Sequence, residues 1–143
     1  MLFSRSAVYS VRAMTFLARQ PSGKLTGARE ISQAERIPMP FLWKILQNLA
    51  RRKLIRSFKG LRGGYELARP AHHITLQSIV LATDGNELAE SCVLGLPQCS
   101  EDNPCPLHPA WKEIRRRLVS MLEENTLANL ARVAQGRPRR ARK

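Results

Sequence analysis

Residues 91–108 carry Gly95, Pro97, Pro104 and Pro106 and show no sustained apolar period. Such a stretch forms an irregular loop with little core of its own. All three cysteines of the chain lie in it, as Cys92-x6-Cys99-x5-Cys105-x2-His108. Four soft or borderline donors so close in sequence can enclose one metal centre. Thiolates suit iron–sulfur or zinc, and imidazole can complete either set. Three small buried apolar side chains are the bland alternative, and the shared Pro/Gly-rich loop argues against it. Zinc in a Cys3His site is the rival. The paired Cys-x2-Cys knuckles common in zinc motifs are absent, so the spacing favours an iron–sulfur cluster draped by one loop. His108 could instead be a water-exposed residue at a helix start, but its place three residues beyond Cys105 favours ligation. His72 and His73 read as solvent-facing turn residues.

The net charge is +13 over 143 residues, which favours a polyanionic partner. The charge is unevenly placed. Residues 1–62 hold 13 Lys and Arg against two acids, Glu30 and Glu35, while residues 84–124 hold eight of the 11 acids. Five more cations fall in residues 136–143. A basic front half with a mixed back half fits a DNA-binding module joined to a sensing and dimerising one. No run approaches the ~20 apolar residues of a membrane span. The start lacks a signal-peptide layout, because Arg12 interrupts its apolar residues. The expectation is a cytoplasmic protein without a membrane partner. Thiols stay reduced there, and an odd cysteine number argues against a disulfide framework.

Along the chain, residues 5–19 read as an amphipathic helix with Ala7, Val11, Met14 and Ala18 on one stripe. Thr26 is a candidate cap for a second helix carrying Ala28, Ile31, Ala34 and Ile37. After the break at Ile37-Pro38-Met39, Pro40 suits the first turn of a third helix. Its apolar face is Phe41, Leu42, Ile45, Leu46 and Leu49. Its other face presents Trp43, Lys44, Gln47, Asn48 and Arg51. Two short helices, a tight turn and a polar-basic second helix match a helix-turn-helix. Two short apolar segments then flank Gly60-Leu61-Arg62-Gly63-Gly64 and read as a β-hairpin. A hairpin directly after a recognition helix is a wing. Trp43, Lys44 and Gln47 are expected to reach a DNA groove, and Arg51, Lys59 and Arg62 the phosphates. Pro40 and Gly63 complete the expected DNA-binding set.

Thr75 caps a fourth helix with Leu76, Ile79, Val80 and Leu81 turned inward, and Asp84-Gly85-Asn86 ends it. Pro109 starts a longer helix with Trp111, Ile114, Leu118, Val119, Met121 and Leu122, a stripe suited to core and dimer seam. Leu127, Leu130 and Val133 continue it. The expected fold class is mostly α: a winged helix-turn-helix with a β-hairpin wing, plus a long C-terminal dimerisation helix. The DNA-binding domain spans 1–83, the cluster-binding loop 84–108, the dimerisation helix 109–134 and a disordered basic tail 135–143. There is no P-loop and no Gly-x-Ser-x-Gly, and the back-half carboxylates have no spacing for acid–base work. An enzyme is not expected.

These features together resemble the Rrf-two superfamily of winged-helix regulators, of the IscR/NsrR type. The resemblance covers about residues 1–131. It rests on Ser6-x2-Tyr9-x2-Arg12-Ala13-Met14, on Ile31-Ser32 with Ile37-Pro38 and Phe41-Leu42, and on Gly60-x2-Gly63-Gly64-Tyr65-x-Leu67. It also rests on Cys92, Cys99, Cys105-x2-His108-x2-Trp111. It implies a homodimer with crossed long helices, a palindromic double-stranded operator and a cluster near the dimer interface. RNA polymerase is a further candidate partner. Cys92, Cys99 and Cys105 match the family's thiolate ligands, and His108 the histidine that completes a two-iron cluster. The cluster-biogenesis regulator has one residue fewer between its first two cysteines, a difference loop slack absorbs. Some nitric-oxide sensors take an acidic ligand from the partner's first helix. Val8 stands near that place here, so [2Fe-2S] is favoured over [4Fe-4S]. Trp43 replaces an acid of the cluster-biogenesis regulator, so operator specificity does not carry over.

The expected function is a transcriptional regulator, in the repressor sense, whose operator affinity follows a cluster sensing redox, iron or nitrosative state. A zinc-stabilised winged-helix regulator without redox sensing is the alternative. An electron-transfer protein is a third reading, against which the charge and the helix-turn-helix count.

Overall fold

A computed structural model describes residues 2–97 and 99–135. Of the basic tail expected over 135–143, residues 136–143 lie outside the described residues. The chain runs α1 (Arg5–Ala18), α2 (Ala28–Glu35), α3 (Met39–Arg51), β1 (Ile55–Phe58), β2 (Gly64–Leu67), a 3-10 turn (Ala71–His73), α4 (Leu76–Asp84), α5 (Glu87–Glu90), α6 (His108–Glu124) and α7 (Leu127–Gln135). The strands pair antiparallel, Ile55 opposite Leu67 and Phe58 opposite Gly64. It is a mostly helical winged helix. Among the described residues no helix is long and apolar enough to cross a membrane.

The core is built where the apolar stripes meet. Met14 of α1, Ile31 of α2, Leu42, Leu46 and Leu49 of α3, Ile79 of α4 and Leu127 of α7 are all sealed from solvent. Helical periodicity places each of them on the inward face of its element. Two expected core positions differ. Phe41 is 48% exposed and packs edge-on to Tyr9 at 6.4 Å between ring centroids. Leu81 faces outward on α4. Asn48, on the expected polar face of α3, turns to α4 and donates to the Ala82 carbonyl at 2.7 Å.

Side-chain caps start two of the helices. Ser4 caps α1, accepting from the Ala7 N–H, and Thr75 caps α4, accepting from the Ser78 N–H. Thr26 does not cap α2, whose N-cap is Gly27. Its backbone instead pairs with Tyr65 of the wing, at 3.0 and 2.8 Å. That contact draws β2 against the α1–α2 connection, and it leaves no room at Gly64. A Cβ there would lie 2.9 Å from the Thr26 carbonyl oxygen, at a φ of +151°.

The largest departure from expectation lies in the C-terminal third. The sequence predicts one helix over 109–134, and the structure has two. The first begins at His108, one residue before Pro109, and stops at Glu124. Thr126 then forms a bridge with Thr75. Leu76 N–H donates to the Asn125 carbonyl at 2.9 Å, and Leu127 N–H donates to the Ile74 carbonyl at 2.8 Å. These bonds reverse the chain, so α7 packs back onto α1 and the 3-10 turn. The short helix α5 was also unforeseen.

Candidate DNA-reading surface and metal centre

On α3, Pro40, Trp43, Lys44, Gln47 and Arg51 are exposed, while Leu42, Ile45, Leu46 and Leu49 are buried. Steps of three and four residues set the exposed positions along one face. Trp43 is 56% exposed on this face. Lys44, Arg51, Lys59 and Arg62 enter no ion pair among the described residues. Lys59 and Arg62 flank Leu61, which is fully exposed at the wing tip. Gly63 serves the turn itself: a Cβ there would sit 2.1 Å from the Phe58 carbonyl oxygen. Arg56, by contrast, is turned along the wing, 3.9 Å from Glu66 and donating to the Ala68 carbonyl.

The loop brings the metal-ligand candidates together as two pairs. Cys92 and Cys105 are buried, and their Sγ atoms are 3.7 Å apart. Cys99 Sγ lies 3.3 Å from His108 Nδ1. His108 is 4% exposed, not a water-facing helix start. All three cysteines are free thiols. Among the described residues no three Cys, His, Asp or Glu side chains gather as a ready single-ion site.

Hydrogen bonds support Cys92 and Cys99. Backbone N–H groups of Leu94 and Leu96 hold the Cys92 thiol below its ordinary pKa, against burial, with smaller help from Cys105 and Gly95. Donors aimed at sulfur favour the thiolate, the form that binds metal. Arg115 donates to Cys99 Sγ at 3.3 Å. Trp111 anchors the loop by donating its indole N–H to the Ser91 carbonyl. Behind His108 stands Glu101, with Oε1 3.5 Å from Nε2, and Lys112 is bonded to that carboxylate.

A family model described as Rrf2, iron-dependent transcriptional regulator, matches residues 3–133. The chain belongs to the Rrf2 family. Its relatives include an HTH-type transcriptional regulator of Mycobacterium tuberculosis named Rv1287, 39% identical over 132 residues, covering 92% of this chain and 81% of that protein. The HTH-type transcriptional regulator IscR of Yersinia pestis is 30% identical over 122 residues, covering 85% and 74%. Among solved structures, Staphylococcus aureus CymR is similar at a TM-score of 0.72 and 25% identity, covering 90% of this chain and 96% of that one. T. potens IscR is similar at 0.76 and 21% identity, covering 96% and 92%, a likeness of fold. As an Rrf2 protein, the chain is a DNA-binding transcriptional regulator.

Within this Rrf2 chain, the sequence pattern did not single out Glu101, Lys112 or Arg115. A signal for two of them exists. Lys112 and Arg115 follow His108 by four and seven residues, which on a helix places all three on one side.

Proposed function

We propose that the protein is a homodimeric repressor whose operator affinity is switched by a [2Fe-2S] cluster on Cys92, Cys99, Cys105 and His108. The pairing of donors carries this reading. Two ligands on one tetrahedral metal, with bonds of ~2.3 Å to sulfur and ~2.0–2.1 Å to nitrogen, lie ~3.8 Å apart for two sulfurs and ~3.5 Å for sulfur and nitrogen. The observed 3.7 and 3.3 Å are close to those edges. Among the described residues no three such donors gather, which suits two neighbouring metal atoms better than one zinc ion. When bound, the cluster supplies a centre that oxidants, iron shortage or nitric oxide can alter.

The chain's own residues connect that loop to the reading head. Trp111 joins the loop to α6, and the pairing of residues 74–76 with 125–127 joins the end of α6 to the start of α4. Asn48 joins α4 to α3. A shift of the loop is thereby felt at the recognition helix. A coupling of ~1–3 kcal/mol would change affinity roughly 5–150-fold. Ile114 and Met121, seven residues apart on α6, are 52% and 43% exposed and suit a seam with a second α6. A dimer would present two recognition helices to a palindromic operator, about 34 Å apart.

The test is anaerobic reconstitution with ferrous iron and sulfide. Equal iron and sulfide content, a visible absorption band and operator affinity that changes on cluster removal are expected. Cys92→Ala, Cys99→Ala and Cys105→Ala should each lose most of the iron while remaining dimeric. Colourless protein holding one zinc per chain would replace this reading with the zinc-stabilised one. Full iron loading of Cys99→Ala would sink the four-ligand set.

A further inference from the structure

His108 is buried, yet its Nε2 has no hydrogen-bond partner in bonding geometry. Glu101 Oε1 stands 3.5 Å from that nitrogen, and the Lys112 ammonium holds the same oxygen. The other ring nitrogen, Nδ1, is turned to Cys99. The ring therefore lies between a carboxylate on one side and a thiol ligand on the other.

We propose that Glu101 is a positioning residue that keeps the His108 proton on Nε2, leaving Nδ1 as the metal-binding nitrogen. This rests on the ligand set proposed above. A neutral imidazole carries one proton, on either nitrogen. With the proton on Nδ1, the bare Nε2 lone pair would face a carboxylate oxygen, acceptor against acceptor. With it on Nε2, the proton lies on the carboxylate's side, 3.5 Å from Oε1, and the Nδ1 lone pair is on the side of Cys99. Metal-bound histidines generally donate their second N–H to such an acceptor, which fixes both tautomer and ring orientation. Lys112 does the same service one step out. It shares helix α6 with His108 one turn away, so the carboxylate is held from the helix that carries the ring.

Glu101 lies on the loop and is mostly exposed, so its replacement should leave the fold intact. Nitrogen-15 NMR of metal-free, thiol-reduced protein reads the tautomer directly and needs no cluster. The expected spectrum shows His108 protonated at Nε2 and bare at Nδ1. In Glu101→Ala the two tautomers should mix. Glu101→Gln should restore the wild-type spectrum, because its carboxamide oxygen still accepts. Iron affinity on reconstitution should fall ~10–100-fold in Glu101→Ala and far less in Glu101→Gln. A proton on Nδ1 in wild type, or an unchanged spectrum in Glu101→Ala, would overturn the proposal. Loss of iron in Glu101→Gln as complete as in His108→Ala would make Glu101 a ligand and overturn it too. Should wild type take up zinc alone, the cluster reading fails while the tautomer result still stands or falls by itself.

Discussion

Trp111 donates its indole N–H to the carbonyl of Ser91 at 2.9 Å, across the first turn of α6 and next to Cys92. The bond fastens one end of the cysteine-bearing loop to the helix that begins at its other end. A bond of this kind contributes ~0.5–1.5 kcal/mol. Trp111→Phe keeps the ring and removes the donor. Amide exchange over residues 91–97 should quicken roughly several-fold, with the winged helix unaffected. Unchanged exchange there would show that the loop is held by other contacts.

DNA binding should depend steeply on salt. If the dimer meets ~6–10 phosphates, affinity should fall roughly 10³–10⁵-fold between about 50 and 200 mM salt. Arg62→Ala should weaken binding to every sequence and reduce the log–log salt slope by about one. Trp43→Ala should instead change which sequences are preferred. Equal losses on all sequences for the Trp43 variant, measured by a binding-site selection, would remove it from readout.

Leu127 is fully buried at the start of α7, in the same core as Met14 and Leu42. Leu127→Ala should destabilise the winged helix by ~2–5 kcal/mol in chemical denaturation. A loss confined to dimerisation, with unfolding unchanged, would return this segment to the dimer seam.

How much was legible in the chain follows from how local each determinant is. The α3 stripe of Leu42, Ile45, Leu46 and Leu49 was readable because its period is set within one helix. The wing was readable from its glycines. Thr26 misled, since a threonine before a helix has the chemistry of a cap, and only the distant partner Tyr65 decides otherwise. The stop after Glu124 was not readable either. No Gly or Pro marks it, the apolar stripe continues through Leu127 and Leu130, and Thr75, fifty-one residues earlier, provides the bridge. The four candidate donors stand out in the sequence by their spacing. Their division into Cys92 with Cys105 and Cys99 with His108 was not, because loop spacing permits several pairings.

Glu113 offers a check on α6 by pH. Hydrogen bonds from Arg116 and Arg117 pull its carboxyl from 4.5 down to about 2. A depressed carboxyl favours the folded state above its unfolded value, so this contribution is present above pH 4.5 and lost as pH falls toward 2. Carbon-13 NMR should find the Glu113 midpoint near 2, and Arg116→Ala should raise it. A midpoint at the ordinary value in wild type would mean the helix surface is not organised as described.

The return of α7 onto α1 bears on the order in which the protein is made. Leu127, sealed within the core, leaves the ribosome after the recognition helix, the wing and the entire cysteine-bearing loop. A nascent chain that has emerged only as far as α4 lacks that part of its core. The finished reading head is thus reached only once residues 84–108 have been translated.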